Sequence, residues 1–527
     1  MLCERYNVSD RVGAALGTGV LKDHGIITDM DQTFVIDRSK LRREPTKYRK
    51  QLQVEEQKLF EQVNAIYFDE KKDATRKQAM INNKLYPTVE LEEHCVVVGE
   101  PGEFYLSHLT PDSGKGSDVA KAIFNLVKDT ALQENLRSLG SDGTASMTGC
   151  RSGCLACLEE MLGRPLQWVI CLLHCIELPL RHVFKTLDGV TKSPDTFSGP
   201  IGKCLNGSVS DWEVVDFKRI INPHFPCIPP DVVQNLSTDQ YYGYRMAMAV
   251  ILGEVDEDLA LLEVGEIFHA RWLTLACRIL RYYVSVKKPS SNLNKVLAEF
   301  VIKIYFPSWF EIKYKNKVTE AAPNFYNIIN RVRCFPSTKV KKILLKVLQR
   351  NGFSIHSENV LLAMLADKHE EVRRKAVNKI LALRGVLPDF SLDDGSWAGT
   401  EIDGNVSSSE DEDRAEGPLK SVRIFKVPSM LNTKAKVYYK LIDLDGADVS
   451  EPPATLHLST EQLQNMYTSK LELELPCHNQ AVERHVKVVT EASMMVCGFE
   501  RRDGLIRQKL KSRKLMKCFN TKMQFQS

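Results

Sequence analysis

The chain has 527 residues, with 71 Lys and Arg against 67 Asp and Glu, so its formal net charge is only +4. Its hydrophobic fraction of 43% and charged fraction of 26% are typical of globular proteins. These values exclude a wholly disordered chain, a collagen-like fibre and a coiled-coil rod. At roughly 100–200 residues per domain, the length predicts two to four domains.

The sequence contains no strong signal for a membrane or secretory route. The longest strongly apolar stretch, Leu166 to Leu180, includes His174 and Glu177 and is shorter than the roughly 20 residues that span a bilayer. The opening residues, MLCERYNVSD, have no apolar run of the secretory type. Fourteen Cys residues in 527, without a secretory signal, are typical of an intracellular protein with reduced thiols. We therefore predict an intracellular protein with no membrane partner.

Charge is arranged in blocks. Residues 37–50 carry seven basic and two acidic residues, and residues 500–527 carry nine basic and two acidic residues. Such blocks can neutralise nucleic-acid phosphates, although a solvated surface explains either one equally well. Residues 393–416 carry nine acidic residues and one Arg and are poor in aliphatic side chains. We predict a basic N-terminal segment at 1–58 and an acidic, disordered linker at 388–418.

Three strands are predicted first along the chain. The segments AIYFDEK (65–71), HCVVVGE (94–100) and EFYLSHL (103–109) are rich in apolar and aromatic residues. Pro101-Gly102 lies between the second and third segments and predicts a hairpin turn.

Helices and strands then alternate. Apolar residues at helical spacing predict a helix over DVAKAIFNLVKDTAL, with Ser117 or Asp118 as its N-cap. SLGSDGT (138–144) predicts a short strand, CLACLEEML (154–162) a helix, QWVICLL (167–173) a buried strand, and ELPLRHVFKTL a further helix.

The resulting order, β-β-β-α-β-α-β-α, is that of the α/β RNase H-like fold, in which three antiparallel strands precede parallel strands reached through crossover helices. We predict that residues 59–185 form the first part of such a core. Residues 186–387 show helical patterns and are predicted to be a large all-α insertion. Residues 419–527 are predicted to complete the core with the strand-like SVRIFKV and KVYYKLIDL, a helix from about Gln480, and a basic tail.

Two carboxylates are predicted to meet at one edge of this sheet. Asp69 lies near the end of the first strand and Asp142 at the end of the fourth. Converging carboxylates repel unless a cation lies between them, and Mg²⁺ or Mn²⁺ suits oxygen ligands. Two such ions about 4 Å apart can activate a water or a 3′-hydroxyl against a phosphodiester. The alternative is structural, because Asp142-Gly143 is also an ordinary turn signal.

Four segments resemble hAT-superfamily cut-and-paste DNA transposases. SDGTASMTGCRSGCLACLEEMLGRPLQWVICLLHCIELPLRHVF (141–184) is similar to the region around the second catalytic Asp, with an Asp-Gly pair and a later C-x-x-H. FDEKKDAT (68–75) is similar to the first-Asp strand. HARWLTLACRILR (269–281) is similar to the Arg-Trp motif of the helical insertion. PCHNQAVERHVKVVTEAS (476–493) resembles the C-terminal motif in which a Glu-Arg pair opens a helix.

The resemblance implies a metal-dependent phosphodiester hydrolysis and strand transfer on DNA, in a nuclear protein that can form homo-oligomers. The implied catalytic metal ligands, which would hold Mg²⁺ or Mn²⁺, are Asp69, Asp142 and Glu483. The implied DNA-binding residues are Arg271, Trp272 and Arg484, and the auxiliary residues are Cys171 and His174. The three carboxylates are then predicted to cluster within about 8 Å of one another, close to His174.

Several alternatives remain beside this interpretation. Residues 1–60 contain only Cys3 and His24, so the family's N-terminal zinc finger is absent. That absence leaves open a domesticated or inactive descendant, a catalytically silent protein that binds DNA or protein through the same fold. Glu358 also opens a helix and is a rival third acid.

Two further motifs have a structural explanation beside the functional one. Cys154-x-x-Cys157 and Cys171-x-x-His174 together have zinc-like spacing, but small buried thiols explain the same residues. Trp272 lies in an amphipathic pattern and could be a core residue.

Overall fold

The computed structural model describes residues 8–41, 43–44, 47, 58–149, 152–190, 196–205, 212–264, 267–286, 293–355, 357–386 and 457–524. The predicted acidic linker at 388–418 and the strand-like SVRIFKV and KVYYKLIDL lie outside these residues. The chain divides into two compact units. The first is formed by Met1–Trp168 together with Asn479–Ser527, and the second by Val169–His478.

A five-stranded open mixed sheet lies at the centre of the α/β part of the fold. Its strands are β1 (Ala65–Ile81), β2 (Lys84–Glu100), β3 (Phe104–Leu109), β4 (Ser138–Ser141) and β5 (Gln167–Ile170). Their spatial order is β3-β2-β1-β4-β5. Strands β1, β2 and β3 pair antiparallel, whereas β4 pairs parallel to β1. The predicted mixed α/β class is therefore confirmed, and so is the hairpin turn at Pro101-Gly102.

Helices α1 to α5 belong to the first unit. They are α1 (Asp10–Asp23), α2 (Gly116–Val127), α3 (Ala131–Asn135), α4 (Ala145–Thr148) and α5 (Cys154–Leu162), with a 3₁₀ turn at Lys58–Glu61. The apolar residues that predicted α2, among them Val119, Ile123 and Val127, are fully buried.

Beyond β5, the regular elements of the second unit that the structure describes are helices joined by non-helical segments such as 212–229. Its helices are α6 (Leu172–Asp188), α7 (Pro200–Leu205), α8 (Pro230–Gln234), α9 (Thr238–Leu252), α10 (Glu257–Leu261), α11 (Ile267–Tyr283), α12 (Leu293–Phe300), α13 (Phe306–Tyr314), α14 (Ala321–Arg333), α15 (Thr338–Arg350), α16 (Ser357–Leu365), α17 (Glu370–Leu383) and α18 (Thr460–Asn465). A π-helical segment, Val301–Tyr305, joins α12 to α13, and 3₁₀ turns occur at Val318–Glu320 and Phe353–Ile355. The predicted helical character of residues 186–385 is confirmed for the described part of that range.

Two helices return to the first unit, α19 (Gln480–Met495) and α20 (Phe499–Gln524). Helix α19 packs on β1 and β2 through the apolar side predicted from its spacing, because Val482, Val486 and Val489 are buried. Among the described residues, no helix is both long enough and apolar enough to cross a lipid bilayer.

The structure corrects three predicted boundaries. Strands β1 and β2 are 17 residues each, because the strands predicted over 65–71 and 94–100 continue through residues 72–81 and 84–93 and pair as one long hairpin that was not predicted. The strand predicted over 167–173 ends at Ile170, and α6 begins at Leu172, whose N–H donates to the carbonyl of Cys477 at 3.0 Å. Neither Ser117 nor Asp118 caps α2, because the helix already begins at Gly116 after Lys115.

Gly116 provides a stability prediction at the start of α2. A Cβ there would come within 3 Å of backbone atoms of Ser146, Ser152 and Cys154, which cannot rotate away as a flexible side chain can. We expect Gly116→Ala to lower the free energy of unfolding by about 1–3 kcal/mol, the usual cost of overpacking. Denaturant titration would measure it.

Gly19→Ala is the matched control, since Gly19 lies inside α1 and a Cβ added there would have no atom within 4 Å. Alanine there should raise the free energy of unfolding by about 0.5–1 kcal/mol, because glycine is the weaker helix former. Equal effects of the two substitutions would contradict the close backbone approach at Gly116.

Candidate functional site

Asp69 and Asp142 occupy equivalent positions on two parallel strands. The β1–β4 register pairs Ala65 with Ser138 and Tyr67 with Gly140. Asp69 and Asp142 each lie two residues beyond the Tyr67–Gly140 pair. Both therefore lie at the same end of the paired part of β1 and β4. Strand β1 itself does not end there, because its pairing with β2 continues to Ile81.

Local hydrogen bonds hold both aspartates. Asp142 Oδ1 accepts from the backbone N–H of Thr144 at 3.1 Å and from the Thr144 hydroxyl at 2.8 Å. This is the Asx-turn geometry that the Asp-Gly signal predicted. Asp69 Oδ1 accepts from the N–H of Glu70 at 3.0 Å. The turn explains the shape of the loop after β4 and leaves Asp142 partly accessible.

Helix α19 begins beside Asp69. The side-chain amide of Asn479, which precedes the helix, donates to the carbonyl of Phe68 at 3.5 Å. The N–H of Glu483 donates to the carbonyl of Asn479 at 3.1 Å, so Glu483 lies one turn further along. Its side chain is exposed. Glu483 therefore lies in the first turn of a helix that begins beside β1, the strand that carries Asp69.

Two acidic residues that the sequence did not single out lie on the other face of the sheet. Successive strand residues point to opposite faces, so Glu70 and Asp69 cannot share one. Glu70 accepts from the Ser146 hydroxyl at 3.2 Å, and Glu93 accepts from Lys72 at 3.3 Å. The FDEK pattern gave Asp69 as the candidate and not its neighbour Glu70, and the pairing register assigns the two residues to opposite faces.

The pKa of Glu70 is raised. Burial of the carboxyl is the largest cause, and the negative charges of Asp142 and Glu93 add to it, whereas the Ser146 hydrogen bond opposes it. Asp142, which lies just beyond the end of β4, therefore also interacts electrostatically with Glu70. We refer to Glu70, Glu93 and Asp142 together as the acidic cluster.

No three His, Cys, Asp or Glu side chains among the described residues adopt an arrangement that could hold a metal ion. This covers the zinc-like pattern, in which Cys154 and Cys157 lie on α5, Cys171 precedes α6, and His174 lies in the first turn of α6. Burial raises the pKa of the Cys154 thiol. The assignment of Asp69, Asp142 and Glu483 as a metal-binding triad stays a prediction.

The remaining predicted residues fall in both units. Arg484 is exposed in the first unit and forms an ion pair with Glu103, in which its Nη2 atom donates to both carboxylate oxygens at 2.9 Å. Trp272 lies on α11 in the second unit and is only 7% exposed, which matches its interpretation as a core residue. Arg271 also lies on α11, but its side chain is outside the described residues. The rival acid, Glu358, opens α16 in the second unit and is 7% exposed.

Comparison with protein-family models, with curated proteins and with solved structures finds no match to this chain.

Proposed function

We propose that this chain is a DNA-processing protein of the hAT transposase type, built on an RNase H-like core. The observation that carries the proposal is the sheet. Its order, β3-β2-β1-β4-β5, with β1 to β3 antiparallel and β4 parallel to β1, is the order that the RNase H-like fold requires. The first unit is also assembled from two distant segments, 1–168 and 479–527, as a core interrupted by an insertion would be.

Asp69, Asp142 and Glu483 are the residues that would hold the catalytic cation. All three belong to the first unit, and carboxylate oxygens are the ligands that Mg²⁺ and Mn²⁺ take. In the described conformation they do not form a ligating group of three, so binding would require their side chains to converge. The bound ion would supply Lewis-acid activation of the attacking oxygen and of the phosphodiester.

Arg484 is the residue of the first unit best placed to meet DNA beside Glu483. Its guanidinium is about half exposed, and its present partner, Glu103, is equally exposed, so their pairing contributes little to stability. A phosphate could replace Glu103 at small cost, because a guanidinium donates to phosphate oxygens as it does to carboxylate oxygens. We expect Arg484→Ala to weaken DNA binding and its salt dependence while changing the free energy of unfolding by less than about 1 kcal/mol.

The direct test is cleavage and strand transfer by the full chain. A duplex with a free 3′-hydroxyl and a supercoiled plasmid would be incubated with the protein in Mn²⁺, in Mg²⁺ and in a chelator. Nicking or joining that needs the cation supports the proposal. DNA binding with no cation-dependent product would favour the second candidate.

The second candidate is a catalytically silent protein that binds DNA or another protein through the same fold. The acidic cluster favours it, because Ser146 donates to Glu70, Lys72 pairs with Glu93, and the N–H and hydroxyl of Thr144 donate to Asp142, so each carboxylate has a partner without any cation. A cluster stabilised in this way is compatible with a purely structural role.

Glu70→Gln tests the charge state of the acidic cluster. Folding raises the pKa of this acid, so the folded chain holds the proton more tightly than the unfolded chain does. The stability of the fold therefore falls as the pH rises above about 4.5, the ordinary pKa of a glutamate. Glutamine keeps the shape and removes the charge. We expect it to raise the free energy of unfolding at pH 7 by less than about 1 kcal/mol. Asp112→Asn, at an exposed position before α2, is the control and should have no such effect.

A further inference from the structure

The outer part of the β1–β2 hairpin extends beyond the strands on either side of it. Strand β4 pairs with β1 only from Ala65 to Tyr67, and β3 pairs with β2 only from Cys95 to Gly99. The β1–β2 pairing nevertheless continues to Ile81 and Lys84. We refer to residues 72–93 as the arm. At about 3.3 Å per residue, its ten paired rungs are roughly 33 Å long.

The two faces of the arm differ in chemistry. Residues paired in register point to the same face. One face carries the pairs Ala74 with Leu91, Arg76 with Val89, Gln78 with Pro87, and Met80 with Leu85. We call it the apolar face. The opposite face carries ion pairs from Lys77 to Glu90 and Glu92, and Arg502 of α20 also reaches Glu92.

The apolar face is exposed. Leu91 is 70% exposed, Met80 65%, Val89 60% and Leu85 57%. Contiguous apolar side chains of this kind on a soluble surface usually mark an interaction site, since their burial is worth about 25 cal/mol per Å². A two-stranded hairpin that extends beyond its sheet gains stability in water when a further surface packs on it. The arm therefore has a physical reason to bind a partner through this face.

The charge of the arm points to a protein partner. Residues 72–93 contain four basic and four acidic side chains, so their formal net charge is zero. Nucleic-acid phosphates and anionic membranes both select basic surfaces. An apolar face on a neutral arm fits an equally apolar protein surface.

We propose that the apolar face pairs with the same face of a second copy of this chain, with the two arms antiparallel across a twofold axis. An axis between the Arg76–Val89 rung and the Gln78–Pro87 rung makes the face self-complementary. It sets Leu91 opposite Leu85 of the second copy, Ala74 opposite Met80, Val89 opposite Pro87, and Arg76 opposite Gln78. No charged side chain then faces a like charge, and each large apolar residue meets another apolar residue.

The antiparallel orientation follows from what covers the base of the arm. The apolar face continues into the sheet at Glu70, which Ser146 of α4 contacts, and at Glu93, which lies 3.6 Å from where a Cβ on Gly114 would lie. Two ribbons that pack face to face are about 10 Å apart, which is also the thickness of one helix. Two such covered bases cannot lie opposite each other. In the antiparallel pair, each base is opposite the tip of the other arm.

The contact is small. A strip roughly 33 Å long and about 10 Å wide buries on the order of 700 Å² over the two copies, below the roughly 1,200 Å² of stable interfaces. We therefore expect weak self-association, with a dissociation constant in the micromolar range. This proposal does not depend on the proposed DNA chemistry.

Sedimentation velocity of the full chain from about 1 to 200 µM tests the proposal, since that range brackets a micromolar dissociation constant. The wild type should show a weight-average mass that rises with concentration. Val89→Glu combined with Leu91→Glu should weaken the association at least tenfold and keep the chain monomeric. The control is Tyr86→Glu, which adds a charge to the opposite face of the same strand at a residue that is 46% exposed. It should associate as the wild type does.

The outcomes are decisive in both directions. A wild type that stays monomeric, or a control as weakened as the apolar-face variant, would overturn the proposal. Circular dichroism of each variant shows whether it has folded. Orientation is tested by mixing Leu85→Cys with Leu91→Cys under oxidation. Cross-links should exceed those of either variant alone, and no excess would overturn the antiparallel pairing.

Discussion

Asp142→Asn is expected to abolish cation-dependent cleavage while leaving the fold intact. Asparagine keeps an oxygen that can accept from the N–H and hydroxyl of Thr144, so the turn after β4 is retained. What is lost is the negative charge that a divalent cation requires. Metal activation is worth several kcal/mol, and about 4 kcal/mol corresponds to roughly a 10³-fold loss of rate. Product formation would be measured on the 3′-hydroxyl duplex in Mn²⁺.

The neighbouring acids separate the possible assignments. The proposed triad predicts losses of the same order for Asp69→Asn and Glu483→Gln, and near-normal cleavage for Glu70→Gln. The opposite pattern, with loss in Glu70→Gln and activity in Asp69→Asn, would move the site from Asp69 to the acidic cluster, in which Asp142 is joined by Glu70 and Glu93. Asp112→Asn is the matched control, because it removes one exposed carboxylate of the same unit. Full activity in Asp142→Asn would contradict the mechanism.

The sheet was predictable from local patterns because its buried strands have to be apolar. Residues 65–68 and 95–98 are fully buried, and those are the parts of β1 and β2 that the composition indicated. The arm was not predictable in the same way. Its residues alternate polar and apolar side chains in mostly exposed positions, and Pro87 within it argues against a strand. Asn82 and Asn83, both with positive φ, were the one local signal of the turn at its tip.

The site was less accessible to sequence reasoning than the sheet. Asp69 and Glu70 are adjacent, so composition and spacing cannot decide between them, and only the strand register assigns them to opposite faces. The position of Glu483 depends on contacts across more than 400 residues, such as that of Asn479 with the Phe68 carbonyl. The spacing of Val482, Val486 and Val489 predicted that α19 had a face to bury, which is confirmed, but not which strand it would meet.

A buried network between β2 and α20 makes the first unit sensitive to acid. His94 is fully buried, with its Nε2 atom 2.7 Å from the Thr75 hydroxyl. Arg502, almost fully buried, pairs with Glu92 at 3.0 Å. Burial of the imidazole, followed by the positive charge of Arg502, lowers the pKa of His94 to about 4. Glu92 and Asp73 oppose this shift, and His108 adds to it.

The stability of the wild type should therefore fall by about 3 kcal/mol between pH 6.5 and pH 4, since 2.5 pH units at 1.36 kcal/mol each give that amount. The sign follows from proton uptake. Above pH 6.5 the imidazole is neutral in both states, whereas between pH 6.5 and 4 only the unfolded chain binds the proton. Below pH 4 both states bind it, and this contribution levels off.

Urea titrations at half-unit pH steps would measure the effect. His94→Gln should flatten this window, because glutamine can still bond the Thr75 hydroxyl but cannot be protonated there. His24→Gln, at the exposed end of α1, removes one histidine without touching the network and should keep the wild-type profile. A His94→Gln profile as steep as that of His24→Gln would show that other groups cause the acid sensitivity.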